Sequence, residues 1–122
     1  MVSIIIPSYK DPLLHKTINS LLENARGEIE IIAILDGYWT NIINDPRVHV
    51  IHHGLARGMR EAINSGVRLA KGKYIMRTDE HCTFDEGYDT ILSSTCEENW
   101  IVTPKRYFLD TDKWEIMDKP PC

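Results

Sequence analysis

The chain has 122 residues, of which 43% are hydrophobic and 26% charged, as expected for one globular domain with its own core. Its formal net charge is −4 at neutral pH and no clustered basic face is visible, which argues against nucleic acid as a partner. No apolar run approaches the ~20 residues of a transmembrane helix, and no signal peptide opens the chain. We therefore expect a soluble, cytoplasmic protein.

The three cysteines are widely spaced and form no CxxC pair, which argues against a structural zinc site. They are Cys82, Cys96 and Cys122. An odd number of cysteines without a secretion signal predicts reduced thiols in a cytoplasmic setting.

Six short apolar segments predict β-strands. They are Val2–Ile6, Ile29–Leu35, Val48–Ile51, Tyr74–Met76, Trp100–Val102 and Trp114–Ile116. Pro7 is expected to stop the first strand and Asp36-Gly37 the second. Asn44-Asp45-Pro46 predicts the turn before the third strand, and Asp110 to Lys113 the turn before the last.

Three segments between the strands predict helices. Asp11-Pro12 has the residues of a helix start, with apolar residues at helical spacing behind it and Gly27 beyond its end. A second helix is predicted from Gly58 to Ala70, with Met59, Ile63 and Val67 on one apolar face. Asp85 is expected to cap a third helix that carries Tyr88, Ile91 and Leu92.

Alternation of strands and helices predicts an α/β fold with a mainly parallel sheet covered by helices. Ligands of such sheets bind beyond the carboxyl ends of the strands, where the strand order reverses. Three polar clusters fall at predicted strand ends: Ser8-Tyr9, Asp36-Gly37 and Asp79-Glu80-His81. We therefore expect the functional site at this edge of the sheet.

The cluster Asp79-Glu80-His81 has the residue types of a metal site. Residues i and i+2 of an extended segment point the same way, so Asp79 and His81 are able to converge on one ion. A carboxylate oxygen with an imidazole nitrogen suits Mn²⁺ best, with Mg²⁺ as the second choice. The alternative is a solvated acidic loop, and a diphosphate that supplies further oxygens would favour the metal.

Three other side chains are candidates for nucleotide binding. Asp36 follows a buried strand, where it is able to accept a hydrogen bond from a ligand edge, unless Asp36-Gly37 is an ordinary turn. Tyr9 offers a ring on which a base can stack, although packing is the alternative. Arg57 precedes the predicted second helix, whose amino end favours phosphate. The competing cations are Arg60, Arg68 and Arg77.

Several of these segments, in this order, resemble family 2 glycosyltransferases. The segment from Val2 to Tyr9 resembles their opening strand. The segment from Ile31 to Gly37 resembles their second strand and its Asp-Asp-Gly-Ser ending, with Leu35 at the first aspartate. The segment from Gly58 to Gly66 resembles their G-x-x-x-A-R-N-x-G helix, with Ile63 at the arginine.

The metal motif departs from the D-x-D of that family. Asp79-Glu80-His81-Cys82 is similar to the D-x-H-C of polypeptide N-acetylgalactosaminyltransferases, and so is the stretch from Ile101 to Glu115. The resemblance covers residues 2 to about 116 and implies a GT-A-type fold, a Rossmann-like sheet that binds a nucleoside-diphosphate sugar.

The resemblance also assigns roles to single residues. It implies that Pro7, Ser8 and Tyr9 line a uridine pocket, and that Asp36 contacts the uracil edge. It places Arg57 near the uridine or the pyrophosphate.

The same resemblance implies that Asp79 and His81 bind Mn²⁺ between the two phosphates. Glu80 occupies the variable position of the motif and faces the sugar or ribose. A UDP-sugar, with UDP-glucose as the best guess, is therefore the expected donor.

The acceptor-binding half of these enzymes has no clear counterpart in residues 1–122. Asp110 and Asp112 are the only weak candidates for a general base, and a structural turn is the alternative for both. We expect a minimal donor-binding domain whose acceptor is unknown or water, with self-association or a partner subunit completing the site. The alternative is a non-catalytic nucleotide-sugar-binding module or a fragment of a larger enzyme.

Overall fold

A computed structural model describes residues 1–79, 84 and 86–90, together with the backbone of residues 109–110 and 115–116. Its strands and helices alternate as the sequence predicts. In chain order they are β1 (Val2–Ser8), α1 (Leu14–Asn24), β2 (Ile29–Asp36), β3 (Val48–His53), α2 (Met59–Leu69), β4 (Tyr74–Arg77), β5 (Leu109–Asp110) and β6 (Glu115–Ile116).

The first four strands form one parallel sheet in the order β3-β2-β1-β4. The chain starts in the middle of the sheet, adds β2 and β3 on one side, and then crosses through α2 to add β4 on the other. The strand order therefore reverses between β1 and β4. The predicted α/β fold with a parallel sheet is confirmed.

Alternate residues of the two central strands point into two separate layers of core. On one face, Ile4 and Ile31 pack with Ile18 of α1 in the larger cluster. On the other face, Ile5 and Ile34 pack with Ala62 of α2. Every residue of β1 and β2 is buried, which explains their nearly continuous apolar sequence.

Pro7 does not stop β1, which continues through Ser8. The Val2 N–H bonds toward β2, whereas the Ile5 carbonyl accepts from Thr78 beyond β4. Because backbone groups alternate in direction, Pro7 faces the β4 side, as Ile5 does. β4 has already ended there, at Arg77 opposite Ile5. The ladder with β2 continues through Ile6 and Ser8 and does not need the N–H that proline lacks, whereas the ladder with β4 ends just before Pro7.

The first helix begins two residues later than Pro12. The Asp11 carboxylate accepts the Leu13 N–H at 2.8 Å, which closes a turn through residues 12 and 13 before α1 starts at Leu14. Asp11 thus bonds the backbone as predicted, but it orders the turn that leads into the helix.

The buried face of α2 is not the predicted one. Ala62 and Gly66 are buried, whereas Met59 is 58% and Val67 41% exposed. The reason is close packing, because a Cβ on Gly66 would lie 2.7 Å from Ile5 Cγ2. Small residues let the helix backbone approach the sheet, and the larger apolar side chains are left outside.

The described part of the carboxyl-terminal region comprises two pieces. Residues 88–90 are helical, where Tyr88 donates its hydroxyl to the Leu21 carbonyl at 2.9 Å. Strands β5 and β6 are antiparallel, with Asp110 opposite Glu115, so Asp110 is the end of a strand and not a turn residue. The predicted cap Asp85 and the predicted strand 100–102 lie outside the described residues.

Within the described residues, no helix is both long and apolar enough to cross a membrane.

Replacing Gly66 by alanine tests the close approach of α2. The new methyl group must displace fully buried Ile5, which costs about 1–3 kcal/mol, whereas alanine improves helix propensity by about 1 kcal/mol. We expect the free energy of unfolding, measured with urea, to fall by about 1 kcal/mol. Gly54→Ala is the control, because a Cβ there meets nothing within 4 Å. Equal stability of both variants would contradict this packing.

Candidate functional site

The carboxyl ends of β1, β2 and β4 form one edge of the sheet. Ser8 ends β1 opposite Leu35, so that Tyr9 and Asp36 follow on neighbouring strands. Thr78 follows β4 and donates its N–H to Ile5 of β1 at 3.1 Å. The three polar clusters predicted from sequence therefore begin at one edge. The reversal of strand order between β1 and β4 lies at the same edge, where α/β sheets bind ligands.

The Asp36 carboxylate is the best-connected group at this edge. Its Oδ1 accepts the Arg57 N–H at 2.9 Å and contacts His53 Nδ1 at 2.9 Å. Its Oδ2 accepts the Gly58 N–H at 2.9 Å. The side chain is buried, so these bonds replace the water that an ionised carboxylate requires. Asp36 ties the end of β2 to the end of β3 and to the start of α2.

This environment keeps Asp36 ionised. Burial by itself would raise its pKa, but the hydrogen bonds from Arg57, His53 and Gly58 outweigh burial and lower the pKa below 3.8. The amino end of α2 adds a favourable dipole next to the negative charge. The predicted contact of Asp36 with a uracil edge stays a prediction. In the structure both carboxylate oxygens already bond the chain.

Gly37 allows the chain to turn away directly behind Asp36. Its φ of 77° is in the left-handed region, and a Cβ would lie 2.7 Å from the Ala56 nitrogen. Only glycine fits both conditions without strain. The tight turn brings the segment after β2 against the segment before α2.

Arg77 connects the amino end of α2 with the end of β4. Its guanidinium lies 3.0 Å from the Met59 sulfur and 3.4 Å from Asp79 Oδ1. Arg57 is exposed beside Gly58, at the position where the sequence predicts a phosphate contact. Arg77, which the sequence offers only as a competitor of Arg57, thus directly contacts Asp79.

Asp79 is the one member of the predicted metal motif that the structure describes. Its side chain is 47% exposed, and its 3.4 Å contact with Arg77 is long for a charge-assisted hydrogen bond of ~2.8 Å. A divalent cation is thus able to compete for this carboxylate, which fits the predicted role. Glu80 and His81 lie outside the described residues. The predicted Asp79–His81 pair and its Mn²⁺ stay predictions.

Ser8 is the last residue of β1, and Tyr9 follows it at the same edge of the sheet. The Ser8 hydroxyl is hydrogen-bonded to the Tyr38 hydroxyl, which joins the ends of β1 and β2. Tyr9 is 56% exposed, and the Lys10 ammonium lies 5.2 Å from its ring centroid. An exposed aromatic ring is compatible with stacking on a base, but the predicted roles of Pro7, Ser8 and Tyr9 stay predictions.

A cavity of about 300 Å³ lies beside these residues, between the segment that follows β1 and the segment that follows β2. Its lining comprises Lys10, Asp11, Pro12, His15, Tyr38, Trp39 and Thr40. Trp39 is 62% exposed and packs edge-on against His52, at 5.4 Å between ring centroids. Sequence reasoning did not single out this aromatic wall.

The structure describes only the backbone of one of the two candidates for a general base. Asp110 lies in β5, and Asp112 lies outside the described residues. The catalytic role of both stays a prediction.

Sequence reasoning missed His53 and Ser65. His53 is the last residue of β3, directly opposite Asp36, and it also contacts Ser65 Oγ at 3.1 Å. The sequence did contain a signal for His53, because a histidine at the end of one strand is able to bond an aspartate at the end of the neighbouring strand. Finding it required the strand register, which a single sequence does not supply.

The fold and this edge define an α/β domain of the type that binds ligands beyond the carboxyl ends of a parallel sheet. The model of glycosyl transferase family 2 matches residues 3–119. The chain therefore belongs to glycosyl transferase family 2.

Two curated bacterial proteins are similar to this chain. The protein named uncharacterized glycosyltransferase EpsJ of Bacillus subtilis strain 168 is 36% identical over 110 residues, which is 83% of this chain and 32% of that protein. Glycosyltransferase GlyG of Streptococcus pneumoniae serotype 4 is 31% identical over 118 residues, which is 88% of this chain and 39% of that protein. The chain thus spans about a third of the length of these relatives.

We call Asp36 and its three hydrogen-bond partners, His53, Arg57 and Gly58, the Asp36 clamp. We expect this clamp to stabilise the fold in a way that is lost in acid. In Asp36→Asn, the side-chain amide cannot accept all three hydrogen bonds, and its N–H₂ group is turned toward another donor. We therefore expect the free energy of unfolding at pH 7 to fall by about 3 kcal/mol. The folded-state pKa lies below the ordinary value of 3.8, so the ionised carboxylate stabilises the fold above that value. Its contribution is lost as the pH falls through the folded-state pKa.

Urea unfolding of both proteins between pH 7 and pH 2 measures this effect, and we expect the difference between them to shrink in acid. Asp45→Asn is the control, because Asp45 is paired with Arg47 at the opposite edge of the sheet and is not part of the clamp. A loss for Asp36→Asn no larger than for Asp45→Asn, or a difference that persists at pH 2, would refute the clamp.

Proposed function

We propose that this chain is the donor-binding domain of a metal-dependent glycosyltransferase that uses a UDP-sugar. The proposal rests above all on the carboxyl edge of the sheet in a chain of glycosyl transferase family 2. A half-exposed carboxylate, two arginines and an exposed tyrosine lie at that edge, where the strand order also reverses.

Each group at the edge has a task that suits a nucleoside-diphosphate sugar. Tyr9 would stack on the base, and Arg57 and Arg77 would attract the diphosphate. The amino end of α2 adds partial positive charge on the same side of the sheet. Asp36 would hold the segment that carries Arg57 in place, with its remaining acceptor capacity directed to the uracil edge.

Asp79 and His81 would hold Mn²⁺, with Mg²⁺ as the alternative. When bound, the metal would neutralise charge on the diphosphate of the departing UDP. Glu80 would face the sugar or ribose. The sugar is proposed to be glucose or a close relative of it.

The acceptor is the open part of the proposal. The chain corresponds to about a third of its curated relatives, so we propose that the acceptor side is completed by protein outside residues 1–122, which would be a further part of the same polypeptide, a partner subunit or a second copy. Without it, water would accept the sugar and the protein would hydrolyse the donor slowly. The second candidate function is a nucleotide-sugar-binding module without catalysis, or a fragment of a larger glycosyltransferase.

Titration calorimetry with UDP, with and without Mn²⁺, tests donor binding. We expect metal-dependent binding that EDTA abolishes, with weaker binding of ADP and GDP. Asp79→Asn and His81→Ala should each weaken UDP binding at least about tenfold, because each removes a metal ligand. Asp45→Asn is the matched control at the opposite edge and should bind as the wild type does.

Two outcomes would decide against parts of this proposal. Binding of UDP that is unchanged by EDTA and by both variants would eliminate the metal site. Metal-dependent UDP binding without any release of UDP or sugar from UDP-sugars would favour the non-catalytic module.

A further inference from the structure

His53 lies between the Asp36 carboxylate and the Ser65 hydroxyl at the carboxyl edge of the sheet. Its Nδ1 is 2.9 Å from Asp36 Oδ1, and its Nε2 is 3.1 Å from Ser65 Oγ on α2. The imidazole side chain is 6% and the Asp36 side chain 8% exposed. Both ring nitrogens are thus engaged, and the ring joins the end of β2 to the middle of α2.

The chemistry of Asp36 determines where the ring carries its proton. Ionised Asp36 only accepts hydrogen bonds, so Nδ1 must carry a hydrogen to bond it. In the neutral ring Nε2 is then an acceptor, and the Ser65 hydroxyl donates to it. With a neutral ring, the order of donation is Ser65 to His53 to Asp36.

The same three groups occur in serine hydrolases, but this arrangement does not suit that chemistry. The imidazole is buried, so it has no access to a substrate that would receive its proton. Ser65 also lies within helix α2 and not on a sharp turn that would present its hydroxyl. The remaining task for the chain of bonds is to hold Asp36.

We propose that His53 is a positioning residue for donor binding. Through its bond to Asp36 it orients the carboxylate that holds the Arg57 and Gly58 amides, and it thereby places the start of α2 at the edge of the sheet. This inference rests on the proposed function, because it assumes that the donor binds there. No part of it requires His53 to touch the donor.

Two substitutions of His53 separate its two bonds. The asparagine side-chain amide lies at about the distance of Nδ1 from the backbone, so His53→Asn keeps a donor for Asp36 and loses Ser65. The glutamine amide reaches about as far as Nε2, so His53→Gln keeps a partner for Ser65 and loses the bond to Asp36. His49→Gln on the same strand is the control, since His49 is exposed.

Two measurements on the full chain report the effect. Amide hydrogen exchange of Arg57 and Gly58, followed by NMR, reports whether Asp36 still holds the segment. Calorimetry with UDP and Mn²⁺ reports donor affinity. Both are made well below the unfolding temperature of each variant, so that a general loss of stability does not enter.

We expect His53→Gln to speed exchange at both amides at least tenfold and to weaken UDP binding about tenfold, as the loss of a group that orients a ligand does. His53→Asn should stay within about threefold of the wild type in both measurements. His49→Gln should leave both measurements unchanged.

Equal effects of the Asn and Gln variants, or no effect of either, would overturn the positioning role. A wild-type protein that binds no UDP with Mn²⁺ would instead overturn the proposed function and with it the role of His53 in donor binding. The two failures are therefore distinguishable.

Discussion

The arrangement of the functional edge depends on one buried carboxylate. Asp36 has no lysine or arginine side chain bonded to it among the described residues, and its charge is met by two backbone amides and an imidazole. A buried charge in this position is stable only if all of these donors stay in place. The carboxylate therefore ties together three segments that are distant in sequence: the end of β2, the end of β3 and the start of α2. The close turn at Gly37 is part of the same constraint.

The segment that follows the carboxyl end of α2 is held in a similar way by side chains of β2 and β1. Glu30 of β2 accepts the Lys71 N–H at 3.0 Å, and Ser3 of β1 accepts the Gly72 N–H at 2.8 Å. Glu30 and Asp36 lie six residues apart on one face of β2, a span of about 20 Å that is close to the length of an eleven-residue helix, about 16 Å. A polar contact from the sheet thus fixes each end of α2. Between these ends, Gly66 allows the helix to lie directly on the strands.

Much of this fold follows from the sequence, because buried parallel strands need continuous apolar segments and the turns between them need particular residues. The strand order β3-β2-β1-β4 was not predicted, because the alternation of strands and helices indicates a parallel sheet and does not determine the order of its strands. Two local errors have one cause, which is that periodicity does not show the neighbours of an element. Pro7 remains in β1 because the ladder with β2 does not use its missing N–H, and α2 buries Ala62 because its backbone lies close to Ile5. The candidate site was predicted from its position at the strand ends, whereas the partners of Asp36 came only from the structure.

The two faces of the sheet contribute different chemical groups to the proposed donor site. Asp36 and Arg77 point to the side of α2, whereas Ser8 bonds Tyr38 on the side of α1. The α2 side thus combines the helix amino end with cationic side chains, which suits a diphosphate. The α1 side supplies hydroxyl and aromatic groups, which suit a base or a sugar. A ligand that carries both kinds of group would lie across the edge between these faces, with Asp79 next to its charged part. This division is a physical reason to expect a nucleoside-diphosphate sugar at this edge in preference to a free nucleoside or an inorganic anion.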